Sequence, residues 1–369
     1  MQKASASLFW IALFILSFIT QYSIAQNNPK VKDPLHQINK FDNSFDGIGP
    51  KVYLLPEPRS EEEILRDFVE EKAPFTDTIA SALIKQQVTE NFLPTANQRQ
   101  HNTSITPLPT TFNQWDSVIQ NDQQRQNVNS FQLYAHLNQY AKFSFIQNDP
   151  LKAIELLKKA LFYAQNVSAQ ADITVIKQNI SSLLIFSDQL IEARTFENEL
   201  LQAAEKHKLS PLKGQVLLQT AIIHAKNKEF NSAQQTIIRK AIPHFNRTKD
   251  FIGKMKGLIY LSQIYQMEKK FTEAQWFLLQ ARDIATSSNF KNDKAEIEYL
   301  LAVSKFHQQN FKVAQNEFLR AKELAEQEDN KLLKLAIEDR LTDIYFRLGN
   351  HKEARNALEN YWSLKEELF

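Results

Sequence analysis

The apolar residues Ala153, Leu156, Leu157, Ala160 and Leu161 fall at helical spacing and form a stripe that must pack on neighbouring helices. A short signature, one residue followed three positions later by alanine, recurs through the C-terminal two thirds of the chain. Its instances are Pro150/Ala153, Leu190/Ala193, Phe230/Ala233, Phe271/Ala274, Phe311/Ala314 and His351/Ala354, and the alanines are 40, 40, 41, 40 and 40 residues apart. A constant period of that length, with no Gly or Pro cluster inside any unit, predicts an all-α solenoid of about six stacked helix-turn-helix repeats. Small alanine at the helix crossing lets the two helices of a unit approach closely.

The units differ in detail. In the first, a helix to about Gln147 is followed by Asp149 as N-cap and Pro150 in the first turn of the partner helix, where a missing N–H costs nothing. The second keeps Ala193 but carries polar residues elsewhere on its second helix. In the third, Ser210 reads as a cap with Pro211 behind it, and Pro243 is expected to end or kink the second helix near Ile242. The one 41-residue spacing falls across this same region.

Ahead of the repeats, which span 129–369, lies chain of another kind. Residues 26–128 hold nine of the twelve prolines and no 40-residue echo. Ser60 with Glu63 forms a capping box that predicts a helix to about Glu71, and a second helix is expected from Thr76 to about Glu90, with Ile79, Leu83 and Val88 on one side. The proline-punctuated stretch 93–111 reads as an extended linker, so the leader is expected to be partly disordered. It is either a spacer with accessory helices or a plug that folds back on the repeats. Residues 1–25 read as a signal peptide: Lys3 is the charged start, 8–20 is an apolar run, and Ser23, Ile24 and Ala25 offer a cleavage site. That run is shorter than the roughly 20 residues a membrane span needs, so cleavage after Ala25 is preferred over an uncleaved anchor. The mature protein is then periplasmic or extracellular, and meets a membrane only if the segment stays attached.

Composition narrows the chemistry. There is no cysteine, which excludes disulfides, thiolate metal sites and a lipidated cysteine. Between 26 and 130 there are 10 Lys/Arg against 14 Asp/Glu, while the repeats beyond carry a net +5. So balanced a chain offers no strong field to nucleic acid or anionic lipid. The eight histidines show no metal spacing, and with six glycines there is no Walker loop, nucleophile elbow or dinucleotide motif. The residues therefore point to no enzyme, cofactor or metal.

Units four to six, with "GLIYLSQIYQMEKKFTEAQWFLLQA", "EYLLAVSKFHQQNFKVAQNEFLRAKELA" and "RLTDIYFRLGNHKEARNALENY", resemble the tetratricopeptide repeat family. Tyr265, Phe271, Ala274 and Ala281 match its pattern in unit four, and Tyr345, Gly349 and Ala354 in unit six. The family's first-helix glycine is mostly replaced, by Ala302 and Thr342, and the unit is about 40 residues in place of 34. More narrowly, the long repeats and closing "ALENYWSLKEELF" resemble the extracytoplasmic repeat region of Bacteroidota two-component sensor proteins, without their membrane helix and kinase. Two triplets, Asp77-Thr78-Ile79 and Asp116-Ser117-Val118, resemble O-glycosylation sites of exported Bacteroidota proteins.

The resemblance implies that the first helix of each unit lines a concave groove. Carried over by register, the groove residues are Lys142, Phe145, Gln178, Ser182, Lys256, Gln263, Gln266, Tyr299, Phe306, Asp339, Asp343 and Arg347. This mixture suits an extended peptide or a partner helix, giving a non-catalytic protein- or peptide-binding scaffold or adaptor in envelope signalling or assembly. Trp362 and Phe369, seven apart on the final helix with no further helix in sequence to cover them, form a candidate terminal interface and suggest a homo-oligomer; Tyr361, Trp362 and Leu368 packing inward is the alternative. An enzyme acting on envelope polymers would need a carboxylate pair facing the groove, for which Asp339 and Asp343 are the candidates.

Overall fold

The computed structural model describes residues 59–96, 108–124, 129–287 and 293–369. The proposed signal peptide and cleavage site lie outside these, as do 97–107 of the proposed linker. Among the described residues there is no strand. Six antiparallel helical hairpins follow one another: α4 (Ser130–Ile146) with α5 (Pro150–Asn166), α6 (Gln170–Phe186) with α7 (Leu190–Lys206), α8 (Ser210–Lys226) with α9 (Phe230–Gln235) and α10 (Ile242–Thr248), α11 (Phe251–Met267) with α12 (Phe271–Ser287), α13 (Lys294–His307) with α14 (Phe311–Gln327), and α15 (Lys331–Arg347) with α16 (His351–Leu368). Among the described residues of the leader there are three α-helices, α1 (Glu61–Lys72), α2 (Thr76–Glu90) and α3 (Phe112–Gln124). The sequence pattern pointed to two of these and passed over α3.

The alanine ladder is the seam of the solenoid. Ala153, Ala193, Ala233, Ala274, Ala314 and Ala354 are all fully buried. A second rung lies seven residues on (Ala160, Ala281, Ala321) and a third four beyond that (Ala164, Ala285, Ala325), also fully buried. In these three hairpins, the first, fourth and fifth, three alanine rungs on one face of the second helix let the helices pack closely.

The period of the backbone is half that of the sequence. Within the repeats, each described turn between helices passes through one left-handed residue: Asn148, Ser168, Asp188, Lys208, Lys228, Lys249, Lys269, Gln309, Asp329 and Gly349. At Lys249 both amides share the Phe245 carbonyl, and the same two bonds close all the other turns, as when Asn148 N–H donates to the Phe145 carbonyl at 3.1 Å and Asp149 N–H to that of Ser144 at 2.9 Å. This is the Schellman closure, usually built on glycine, yet only Gly349 supplies one here. Side-chain caps are fewer: Asn129, Asp149, Asp250 and Asn330 accept the third amide of the helix they start. Ser210 does not cap; it is the first residue of α8, Leu209 occupies the cap position, and no side chain bonds there.

The 41-residue spacing is an inserted residue. Between α9 and α10 the chain forms a π-helical stretch, Thr236–Ala241, where Ile242 N–H reaches back five residues to the Ile237 carbonyl. The buried ladder positions Ala233 and Ala241 are accordingly eight apart in place of seven. Absorbing the extra residue there returns the ladder to register, and α-helix resumes with Pro243 in its first turn. Pro243 therefore does not end the helix, which continues to Thr248. The third rung of this unit is Phe245, and its ring is admitted by two glycines on the flanking first helices. A Cβ at Gly214 would lie 2.3 Å from the ring, and one at Gly253 would lie 2.4 Å from it.

Helix α3 closes the first end of the solenoid. Trp115 stacks on Tyr140 with ring centroids 5.4 Å apart, the Tyr140 hydroxyl donates to Asp116 at 2.6 Å, and His136 pairs with Asp122 at 2.5 Å, both buried. A repeat array needs such a cover where its stacking stops.

Candidate functional site

The leader packs on first helices of the repeats, with α2 against α4, α6 and α15. Helix α1 begins with the capping box, Ser60 N–H donating to Glu63 at 2.9 Å and Glu63 N–H to the Ser60 hydroxyl at 3.2 Å. Its last residue, Lys72, is 1% exposed. Lys72 Nζ lies 2.9 Å from Asp339 Oδ1, 2.7 Å from Asp343 Oδ1 and 3.0 Å from the Asp339 carbonyl, all on α15. Burial alone would depress the Lys72 pKa, but the two carboxylates outweigh it and hold it above the ordinary lysine value. Thr76 at the start of α2 also donates to Asp339, at 3.3 Å.

From α15, helix α2 crosses the groove to α4 and α6. Its 15 residues reach about 22 Å, so one helix bridges the sixth and first hairpins. Ile79 and Ala80 are buried and every residue from Ser81 to Thr89 is half-buried, so that no face of this stretch is left to solvent. Lys85 Nζ donates to the Ile146 carbonyl and to Asn148 Oδ1, each at 2.6 Å, at the end of α4. Beyond Glu90 the chain turns at Asn91 and runs without helical structure from Phe92 to Thr95. Phe92 joins the core of the first two hairpins, Leu93 bonds through its backbone to Asn138 and Asn179, and Ala96 N–H donates to Asp172 Oδ1 at 2.5 Å.

The groove residues chosen by register fall into three groups. Asp339 and Asp343 hold the leader. With Tyr299 and Phe306 they gather around Arg340, whose guanidinium lies 5.6 Å from the Phe306 ring centre, and Arg347 lies 5.9 Å from the same ring centre. A second group joins neighbouring hairpins: Gln178 donates to Gln215 at 2.6 Å, Ser182 accepts from Gln219 at 2.8 Å, and Gln266 donates to the Leu300 carbonyl at 3.0 Å and to Ser304 at 2.7 Å. Phe145 is inside the core, edge-on to Phe186, and Tyr299 is edge-on to Phe318. Gln263 is buried, whereas Lys142 and Lys256 are half-buried, the latter close enough to lower the pKa values of Asp293 and Glu296 against their burial. Asn138, Asn179 and Asp172 were missed by register. A buried amide or acid on a first helix was the available signal, and Asn179 is one residue from Gln178.

The end of α16 is partly covered by the leader. Phe75 meets Phe369 edge-on at 5.0 Å, and Lys365 Nζ stands 4.2 Å from the Phe75 ring centre and 4.3 Å from that of Trp362. Trp362 is half-buried against the last core cluster and Tyr361 is fully buried, while Phe369 remains 58% exposed. The two triplets fall on helices: Thr78 is exposed beside buried Ile79, and Ser117 Oγ donates to the Asn113 carbonyl at 2.9 Å.

Both carboxylates of the Asp339/Asp343 pair face Lys72, and Arg340 lies 3.8 Å from Asp339 and 4.0 Å from Asp343, so neither acid is placed as a free acid or base. Among the described residues no group of three or more acids and histidines could hold a metal ion, and no helix is long and apolar enough to cross a membrane. Burial, helped by Arg340 and Lys269, pushes the His307 pKa down to about 3, and its ring stacks on Phe271 at 5.4 Å.

No family model matches the sequence, and no curated protein matches it. Among solved structures the chain is similar to a Rap protein complexed with Competence and Sporulation Factor, at 13% identity over 83% of this chain and 99% of that one, with a TM-score of 0.51. It is also similar to a STAND signal-transduction ATPase with a tetratricopeptide repeat sensor from Pyrococcus horikoshii, at 14% identity over 85% of this chain and 54% of that one, with a TM-score of 0.52. At such identities the likeness is one of fold, and the fold is a tetratricopeptide-like helical-repeat solenoid.

Proposed function

We infer that this protein is a non-catalytic scaffold or adaptor that binds a protein or peptide in its repeat groove, and that it works after export, in envelope signalling or assembly. The observation that carries the reading is that the groove holds polypeptide in this structure, a helix and a non-helical segment of the chain itself. Asn179 and Asp172 grip that segment by its main chain. Groove contacts of this kind need no cofactor or metal. Export rests on the sequence of residues 1–25, and the likeness to extracytoplasmic regions of Bacteroidota sensors is what suggests signalling.

A photo-crosslinking side chain placed at Lys142 or Lys256 in the groove, with Ile191 as a control, tests the reading in cells; Ile191 is 91% exposed on a second helix. Capture of one partner from the groove positions alone is expected. Capture from Ile191 alone would overturn the groove as the binding face. Crosslinks only between copies of the chain would favour the second reading, a structural homo-oligomer, for which exposed Phe369 is the supporting observation.

A further inference from the structure

If the groove takes polypeptide, as the scaffold reading holds, the contacts around Leu93 define which kind. Asn179 is 2% exposed and turns both ends of its amide onto one residue. Its Oδ1 accepts from Leu93 N–H at 2.9 Å, and its Nδ2 donates to the Leu93 carbonyl at 2.8 Å. Asn138, one hairpin earlier and 1% exposed, donates to the same carbonyl at 3.2 Å, and its Oδ1 accepts from Asn179 Nδ2 at 3.0 Å. Three residues along, Asp172 accepts Ala96 N–H through Oδ1, while its Oδ2 accepts the Tyr134 hydroxyl at 2.6 Å.

Each of these bonds to the segment ends on a main-chain atom, so any extended peptide could make them. Selectivity comes from the side chains that are enclosed. Phe92 is 7% exposed in the first core and Thr95 is fully buried, whereas Pro94 faces solvent. A proline at that place has no N–H to satisfy and biases the residue before it toward the extended form that the bidentate amide needs. An empty clamp would leave two amides and an acid in the groove without their main-chain partners, which costs about 1–3 kcal/mol for each buried group. Such a site is built to hold a backbone at all times.

The geometry points to Asn138, Asn179 and Asp172 as a main-chain clamp for an extended peptide of a partner protein, exchanged for the chain's own residues 92–96. The segment it takes has the form aromatic, any residue, Pro, small hydroxyl residue, small residue. Because the resident segment is tethered, it competes at an effective concentration of about 1 mM; with an intrinsic dissociation constant of about 10 μM for the resident segment, a partner segment would bind the closed protein roughly 100-fold more weakly than the opened one. The leader therefore sets the threshold for partner binding.

The test is fluorescence anisotropy with the labelled peptide VTENFLPTANQR, residues 88–99, titrated with the intact chain and with two opened variants. Phe92→Ala removes the resident anchor, and Leu93→Pro removes the resident N–H while keeping Phe92. At least tenfold tighter binding to the opened chains than to the unaltered one is expected, and Asn179→Ala in either background should weaken it at least tenfold. A peptide N-methylated at its Leu93 position should fail to compete, a readout that leaves the protein untouched. Absence of binding to both opened chains, or equal binding of the N-methylated or a scrambled peptide, overturns the clamp. Neither result bears on the scaffold reading, which stands or falls on crosslinking in cells.

Discussion

Lys72 and Asp339, 267 residues apart in the chain, form a buried ion pair at 2.9 Å with side chains 1% and 2% exposed. It latches the leader to the last hairpin. Removing one member of a buried pair leaves the other charge uncompensated, at a cost of about 3–5 kcal/mol. Lys72→Met should therefore lower the unfolding free energy by about 3 kcal/mol in denaturant titration and expose residues 59–96 to protease. Combined with Asp339→Asn, the loss should be smaller than the sum of the two single losses, since the two groups act as one.

Glu197 is a second buried charge site, without a cationic partner in the bonds it makes. Burial pushes its pKa up to about 8, against a lowering by the hydrogen bond from Ser181. The folded state then holds a proton that the unfolded chain releases at about 4.5, so the stability Glu197 contributes is fully present below about 4.5 and is lost as pH rises to about 8, while His307, lowered to about 3, opposes this decline below about 6.5. Glu296, raised to about 7 chiefly by burial, acts with the same sign. Thermal unfolding followed from pH 5 to 8 should show this decline, and Glu197→Gln should flatten it while leaving the smaller share due to Glu296.

At the turns, nine of the described residues other than glycine adopt the left-handed conformation. Lys228 is one, exposed and with φ of 64°. Lys228→Gly should stabilise the protein by about 0.5–1 kcal/mol, the relief of left-handed strain less the extra freedom gained by the unfolded chain. Gly349→Ala should do the reverse by about 1 kcal/mol, because no atom lies within 4 Å of the added Cβ and only the backbone conformation is at issue. Melting of the two variants against the unaltered protein checks both signs.

Phe245 and Gly214 form a large-and-small pair. Gly214→Ala would bring a Cβ to 2.3 Å from the ring, and overpacking of this sort costs about 1–3 kcal/mol. Phe245→Leu in the same chain should recover part of that loss, whereas the two changes would simply add if Gly214 served only the backbone. Denaturant midpoints of the single and double variants decide between these.

Much of the architecture is legible because it is local. Alanine at a fixed period, apolar residues at helical spacing, and a Ser60/Glu63 capping box each act within a few turns of chain, and those features define the hairpins and α1. The half-period was hidden, since Lys, Asp, Asn, Ser and Gln take the left-handed turn position where glycine would have announced it. Helix α3 was hidden as well: Trp115 and Asp122 find their partners, Tyr140 and His136, only on α4.

By itself the sequence determined the repeat class, the number of hairpins and the place of the inserted residue, all consequences of short-range periodicity. Tertiary structure alone decided where the leader goes and what faces the groove. An acidic leader on basic repeats suggested attraction by net charge, yet the leader is held by its own lysines, Lys72 on two aspartates and Lys85 on a helix end. Likewise Gln178 and Asn179 are neighbours in sequence but about 100° apart around the helix, so one bonds the next hairpin and the other bonds the leader. Neither outcome is encoded locally, because both depend on the solenoid curving until its first and last hairpins meet the same helix.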